Sequence, residues 1–354
     1  MNINIDGKTI GQNYPTYFIA DIGANHDGSV NRARELIHLA KAAGADAAKF
    51  QHFEASKIVS DYGFTHLNGV KSHQASWTKS VSDVYEEASI PTDWTKLLKD
   101  ECDKAGITFF SSPYDFSAVD ALDPYVPAFK IGSGDIDWLE EIEYIAAKGK
   151  PVIVATGAAS IEEVKRAMNT VLVINKSVVL LQCNTNYTGD SANFQHLNLN
   201  VITTYKELWP DVVVGLSDHT HGVTAVLGAV ALGARVIERH FTDDNFRTGP
   251  DHHFALTPQS WKDMVEHTRI LESALGSNEK FLAENETDSV VVQRRCIRAG
   301  KDLPNGHVIT RNDLDILRPA TPGAITPDQL QTVVGKELSV ELKFGQELRW
   351  NYLR

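Results

Sequence analysis

Two histidines stand where side chains could share chemistry. His219 lies in Gly215-Leu-Ser-Asp-His-Thr220 and His240 in Ile237-Glu-Arg-His-Phe241, each after an apolar run (212–216 and 234–237) that reads as a buried strand. Residues 223–233, small and closed by Gly233, read as a helix between them. In a parallel α/β barrel the C-terminal strand ends converge on one pocket. Neutral imidazoles there can share a divalent cation, although either histidine could instead cap its strand with a local hydrogen bond. Two of them on neighbouring strand ends favour the shared cation.

Two lysines join them. Ala47, Lys49 and Gln51 alternate onto one strand face, and Lys130 lies on a later apolar run. A lysine aimed into a barrel mouth needs an anion. That anion is either a carboxylate of the chain, Asp21 or Asp135, or a bound phosphate or carboxylate. Ser112, Ser133, Thr156 and Ser217 sit at neighbouring strand exits and favour the bound anion. Asp21 and Asp135 read equally well as acid–base groups and as lysine partners. Glu238, two residues before His240, shares its strand face and is read as orienting a ligand or a lysine. Asp251 could bind substrate hydroxyls or cap a turn, and His252 and His253 are weaker metal candidates because no strand aims them. An anion site beside a cation that polarises a carbonyl suggests carbon–carbon bond chemistry.

The elements that must position these groups recur in βα order. After a hairpin-like lead come strands at 17–23, 45–51, 107–111, 128–132, 151–155 and 178–182, then the two histidine-bearing runs. Helical patterns alternate with them at 30–43, from Pro91 through Cys102, and at 118–122, 139–148, 161–170 and 199–208. A last helix is capped by Thr257-Pro258. Eight such units over about 275 residues predict a TIM (β/α)8 barrel spanning 1–275, with a doubly wound open sheet as the competitor. Residues 52–89 form a long insertion. Residues 276–288 read as a polar linker, and 289–354 as a small, mainly β domain that depends on the barrel for stability. Within it, 290–298 is read as a strand and 330–334 as one helical turn.

Composition excludes some classes. Lys+Arg 34 against Asp+Glu 46 gives a net charge of −12, the wrong sign for a nucleic-acid binder. Three scattered cysteines without a CxxC suggest a reducing compartment. Neither a signal-peptide pattern nor a membrane-spanning apolar run is found, so a soluble cytoplasmic protein is expected.

The blocks Asp21-Ile-Gly-Ala-Asn-His-Asp-Gly28, Gly44-Ala-Asp-Ala-Ala-Lys-Phe-Gln51, Phe110-Ser-Ser-Pro-Tyr-Asp115 and Phe129-Lys-Ile-Gly-Ser-Gly-Asp135 resemble the sialic acid synthases. Gly215-Leu-Ser-Asp-His-Thr220, Glu238-Arg-His-Phe-Thr242 and Gly249-Pro-Asp251 continue the series in order. Gln293-Arg-Arg-Cys and Arg318-Pro resemble that family's antifreeze-like (SAF) domain. The resemblance implies condensation of phosphoenolpyruvate with an N-acetylated amino sugar. Related synthases of legionaminic, pseudaminic or octulosonic type are the alternative, and a catalytically silent sugar binder is the reading from another class. The resemblance also implies metal ligands His219 and His240, for manganese or magnesium. Lys49, Ser112, Lys130, Ser133, Thr185 and Ser217 fall at its phosphoenolpyruvate positions, and Gln51, Tyr187 and Asp251 at its sugar positions. Arg318 is implied to reach the partner's site in a domain-swapped homodimer. Asp135 is assigned the proton of the water that adds at C2, and Asp21 a sugar hydroxyl. Both stand where the family commonly has glutamate, a retreat of about 1.5 Å. Thr185 replaces an asparagine found in some members, and Thr188 a common proline.

Overall fold

The computed structural model describes residues 2–67, 74 and 77–354. The chain opens with an antiparallel hairpin, β1 (Ile3–Ile5) and β2 (Lys8–Ile10). Its two-residue turn, Asp6-Gly7, has φ of 52° and 78°, the left-handed pair that suits the twist of a tight hairpin. Ile5 and Ile10 are buried, while Lys8 pairs with Asp46 at 2.6 Å and Thr108 donates to Asp6 at 3.0 Å. The hairpin is thereby tied to residues that begin two barrel strands.

Eight parallel strands then close on themselves. They are β3 (Tyr17–Asp21), β4 (Ala47–His52), β5 (Thr108–Pro113), β6 (Phe129–Ile131), β7 (Val152–Ala155), β8 (Val178–Cys183), β9 (Val213–Asp218) and β10 (Val236–His240), with β10 pairing β3. Both faces of each strand are covered, so the strands read as apolar runs rather than alternating ones. The helices in chain order are α1 (Val30–Ala42), α2 (Ala55–Ile58), α3 (Asp61–Thr65), α4 (Val81–Ala88), α5 (Trp94–Ala105), α6 (Phe116–Leu122), α7 (Leu139–Ala146), α8 (Ile161–Ile174), α9 (Val201–Leu208), α10 (Thr224–Ala231) and α11 (Pro258–Leu275). Their boundaries follow local chemistry. Ser160 and Glu163 cap α8 reciprocally, Thr257 caps α11 with Pro258 at its first turn, and Gly106 ends α5 at φ 67°. The insertion at 52–89 contains α2, α3 and α4.

The barrel is closed, so the open-sheet alternative is set aside. Its register carries the functional consequence. Asp21 stands beside His240 on one neighbouring strand and Lys49 on the other, Glu238 beside Ser217, and Gln51 beside Ser112.

The chain divides into two compact units, 1–276 and 277–354. The second contains α12 (Thr287–Gln293), β11 (Cys296–Ala299), β12 (Leu314–Leu317) and α13 (Leu330–Val333), around buried Ile297, Leu303, Ile309, Ile325 and Leu342. Here one expectation fails. Val290 to Gln293 is helical, not a strand, and only Cys296 onward pairs with β12. The valines are partly exposed and continue a turn at Glu284–Glu286, so the helix supplies the hydrogen bonds that a sheet partner would. Among the described residues no helix is long and apolar enough to cross a membrane.

Gly215 lies mid-strand in β9, where a Cβ would meet the Val236 carbonyl and the Leu181 side chain. Gly215→Ala is therefore expected to lower the urea unfolding free energy by about 1–3 kcal/mol; an unchanged midpoint would contradict this packing.

Candidate active site

Lys49, Lys130, Asp21 and Glu238 form a buried charge cluster at the barrel mouth. The Lys49 ammonium lies 2.7 Å from Asp21 and 3.2 Å from Glu238, and Lys130 lies 3.3 Å from the other Glu238 oxygen. All four side chains are nearly inaccessible. Burial works against both charges of the Lys49–Asp21 pair, yet each is favoured. Burial would lower the lysine pKa, but Asp21 and Glu238 raise it; burial would raise the Asp21 pKa, but Lys49 and His240 lower it. Glu238 is likewise brought below its ordinary value, Lys130 and Lys49 outweighing its burial. Asp21 also accepts from the Gly23 amide at 3.0 Å and from Gln51 at 3.1 Å. As an aspartate it still reaches the lysine.

Among the described residues Asp135 forms no ion pair with a lysine. It sits in a 3-10 turn (Ser133–Asp135) after β6, and its carboxyl is pushed up to about 6 by burial, with Lys130 opposing and Asp137 assisting. A carboxyl in that range can exchange a proton near neutral pH. Glu238 takes the place beside Lys130 that the sequence left open between Asp21 and Asp135.

These groups line one cavity of about 410 Å³, together with Ser112, Ser133, Ser217, Thr185, Tyr187 and Asp251. Ser133 accepts the Gly157 amide at 2.9 Å and also hydrogen-bonds to Cys183. Thr156 departs from the expected ring of hydroxyls. It donates to the Leu181 carbonyl at 2.9 Å and accepts from Tyr205 at 3.0 Å, and it does not line the cavity.

The two histidines meet, with ring centroids 5.5 Å apart. His219 places Nδ1 3.1 Å from the Asn184 carbonyl, which makes that nitrogen the donor, and Cys183 is a second hydrogen-bond partner of the ring. Burial works against a charged His219, but Cys183 and the Asn184 carbonyl outweigh it and raise its pKa. His240 is held neutral chiefly by burial, with Asp21 and Asp251 opposing. Its two nitrogens each lie 3.6 Å from a carboxylate, Asp21 on one side and Asp251 on the other, and its buried Nδ1 makes no hydrogen bond. Such a nitrogen calls for a water or a ligand. Among the described residues no three of His, Cys, Asp and Glu converge to enclose a metal. The two imidazoles are a donor pair that would suit a divalent cation only if water or substrate supplied the rest of its shell. His252 faces Asp27 and Thr242 instead, and His253 is exposed.

The sequence missed the apolar wall. Trp77, Val84, Tyr85 and Ala88, all from the insertion, line the cavity with Phe53 and Tyr114. The Phe53 ring lies 5.3 Å from Tyr85 and 5.8 Å from Tyr114. The signal was present in Val81, Val84, Tyr85 and Ala88, which repeat at helical spacing. Arg318 belongs to the C-terminal unit, where it is exposed and forms no ion pair among the described residues.

Removing Lys49 would leave two buried carboxylates short of a partner. Lys49→Met is expected to cost about 3–5 kcal/mol of unfolding free energy, and adding Asp21→Asn should recover part of that loss. Losses that simply add in the double variant would contradict the coupling.

The profile of the NeuB family matches residues 36–280, and that of the SAF domain matches 294–354. The chain is 34% identical to the N,N'-diacetyllegionaminic acid synthase of Legionella pneumophila, over 99% of both chains. It is 34% identical to a pseudaminic acid synthase of Campylobacter jejuni, over 98% of this chain and 97% of that one. Among solved structures it is similar to the N-acetylneuraminic acid synthetase of Leptospira borgpetersenii, crystallised with citrate, at 29% identity and a TM-score of 0.71, over 82% of this chain and 95% of that one. The chain belongs to the NeuB family, the family of these ulosonic acid synthases, and ends in a SAF domain.

Proposed function

We propose that the protein condenses phosphoenolpyruvate with the open-chain form of an N-acetylated amino sugar, releasing phosphate and a nonulosonic acid. The observation that carries this reading is the convergence of Lys49, Lys130, His219 and His240 on one cavity. Lys49 and Lys130 take the phosphate and carboxylate of phosphoenolpyruvate, with hydroxyls from Ser112, Ser133, Thr185 and Ser217. The lysines are already neutralised by Asp21 and Glu238, so the incoming anion shares them rather than meeting bare charge. Gln51, Tyr187 and Asp251 hold the sugar, and Asp21, fixed by three donors, accepts from a hydroxyl near the new bond.

A divalent cation, manganese or magnesium, on His219 and His240 would polarise the sugar aldehyde. C3 of phosphoenolpyruvate bonds to the aldehyde carbon, the carbonyl electron pair moves to its oxygen, which takes up a proton from solvent to become a hydroxyl, and water adds at the electron-poor C2. Asp135 takes the proton of that water, and phosphate leaves by C–O cleavage. The apolar wall from Phe53, Trp77 and Tyr85 packs the N-acyl side of the acceptor.

The test is inorganic phosphate released from phosphoenolpyruvate with N-acetylmannosamine and with diacetamido sugars, with manganese and after chelation. Metal-dependent release with one acceptor is expected and names it. A folded protein that releases none with any of them would favour a silent sugar binder. The rate should rise with pH through about 6 as the Asp135 carboxyl ionises. Asp135→Asn should lose about 10²–10⁴ in kcat with little change in phosphoenolpyruvate affinity, and should lose that acid limb. An unaltered pH profile in the variant would remove Asp135 from proton transfer.

On the same reading the working form is a homodimer in which Arg318 of each subunit completes the other's site. Asp135→Asn and Arg318→Ala subunits, each inactive alone, should regain activity when mixed dimers form, since one site then has both groups intact. Absence of complementation in verified mixed dimers would place Arg318 at its own subunit's site or at none.

A further inference from the structure

Asp251, the acceptor contact in the reading above, sits in an irregular excursion between β10 and α11. The neck of this excursion is closed by backbone bonds, Leu256 to the His240 carbonyl at 2.9 Å and Thr242 to the Leu256 carbonyl at 3.0 Å. Beyond the neck no strand or helix holds the chain, so side chains must set where Asp251 points. Its carboxylate accepts the Ala24 amide at 3.1 Å and reaches 3.6 Å from His240.

Behind it, His252 is fully buried and faces away from the cavity. Its Nε2 lies 2.8 Å from Asp27 and its Nδ1 2.7 Å from the Thr242 hydroxyl. A carboxylate only accepts, so Nε2 carries a proton toward Asp27. Asp27 is an anchor in its own right. It also receives Arg247 at 2.9 and 2.7 Å, and Arg32 lies 3.1 Å away. Its backbone sits at φ 50°, in a turn that aims the carboxylate at the loop. Gly249 completes the fit, since a Cβ there would lie 2.6 Å from the His252 ring.

We propose that His252 and Asp27 are a positioning pair that fixes Asp251 against the Ala24 amide, and thereby sets affinity for the hydroxylated acceptor while touching no substrate. The inference rests on the acceptor role given to Asp251 above. Because Asp251 and His252 are adjacent, anchoring one on the outer side of the loop orients the other on the inner side. Asp27 belongs to the loop after β3 and His252 to the excursion after β10, so the pair also holds two lips of the cavity in register.

The experiment compares His252→Leu, which keeps volume without donors, with His252→Gln, which keeps an N–H for Asp27, and with His253→Gln as control. In His252→Leu the acceptor KM should rise about tenfold or more, with the phosphoenolpyruvate KM within about twofold. His252→Gln should recover most of the loss, and His253→Gln should match the parent. A crystal structure of His252→Leu should show Asp251 out of hydrogen-bond reach of the Ala24 amide. A merely structural role would lower kcat with the folded fraction and leave both KM values alone. If Asp251 still lies about 3.1 Å from Ala24 in the variant, the pair is overturned, whether or not the enzyme turns over. If Asp251 moves while the acceptor KM does not, its link to the acceptor is overturned. If the parent releases no phosphate with any sugar, the functional reading fails separately and the crystal structure alone decides the pair. Asp27→Asn, which keeps shape and loses charge, serves the same comparisons if His252→Leu does not fold.

Discussion

Burying an ammonium costs several kcal/mol unless an opposite charge and hydrogen bonds meet it. The mouth of this barrel buries two, Lys49 and Lys130, and the rest of the site follows from how they are met. Glu238 reaches both, and Asp21 reaches Lys49. Strand register makes this possible, because β10 lies beside β3 and β3 beside β4, so Glu238, Asp21 and Lys49 come from neighbouring strands. An open sheet would not bring β10 back to β3. Closure of the barrel and neutralisation of the lysines are thus one constraint.

That arrangement separates functions across the cavity. One pole holds paired lysines and carboxylates, in which Lys49 is favoured as the ammonium and Asp21 and Glu238 as carboxylates. Asp135 stands apart with a raised pKa, so the cavity keeps one carboxyl that can exchange a proton near neutrality. A third region holds the two imidazoles, with the carboxylates of Asp21 and Asp251 flanking His240. The lips are set by loop contacts. Asn25 donates to the Phe241 carbonyl at 2.9 Å, and Arg32 binds both the Asn25 carbonyl and Asp243. Chemistry that needs an anion, a polarised carbonyl and a proton acceptor within one small volume is served by this division.

Most of the barrel was legible because buried parallel strands write themselves as apolar runs, and each run here ends in polar residues. The convergence of His219 and His240 followed from their positions at two successive strand ends. Pairing partners were harder. Nothing in the linear pattern said that Glu238, rather than Asp135, would stand beside Lys130, since that depends on barrel register. Thr156 looked like another cavity hydroxyl, but Tyr205 and the Leu181 carbonyl claim it. The wall around Tyr85 was hidden because its helix lies in a long polar insertion and packs through only a few side chains. Val290 to Gln293 misled in the opposite sense. Three valines suggest a strand, but strand propensity is realised only where another strand is at hand.

The two-lysine pole is proposed to receive the phosphate and carboxylate of phosphoenolpyruvate. The most direct measurement is a crystal structure of the full chain with phosphoenolpyruvate and manganese. The phosphate is expected within hydrogen-bond reach of Lys49 or Lys130 and of the Ser112, Ser133 and Ser217 hydroxyls, with C3 facing His219 and His240. Lysines still held only by Asp21 and Glu238, with phosphoenolpyruvate bound elsewhere, would contradict it and leave the four charges as a purely structural cluster.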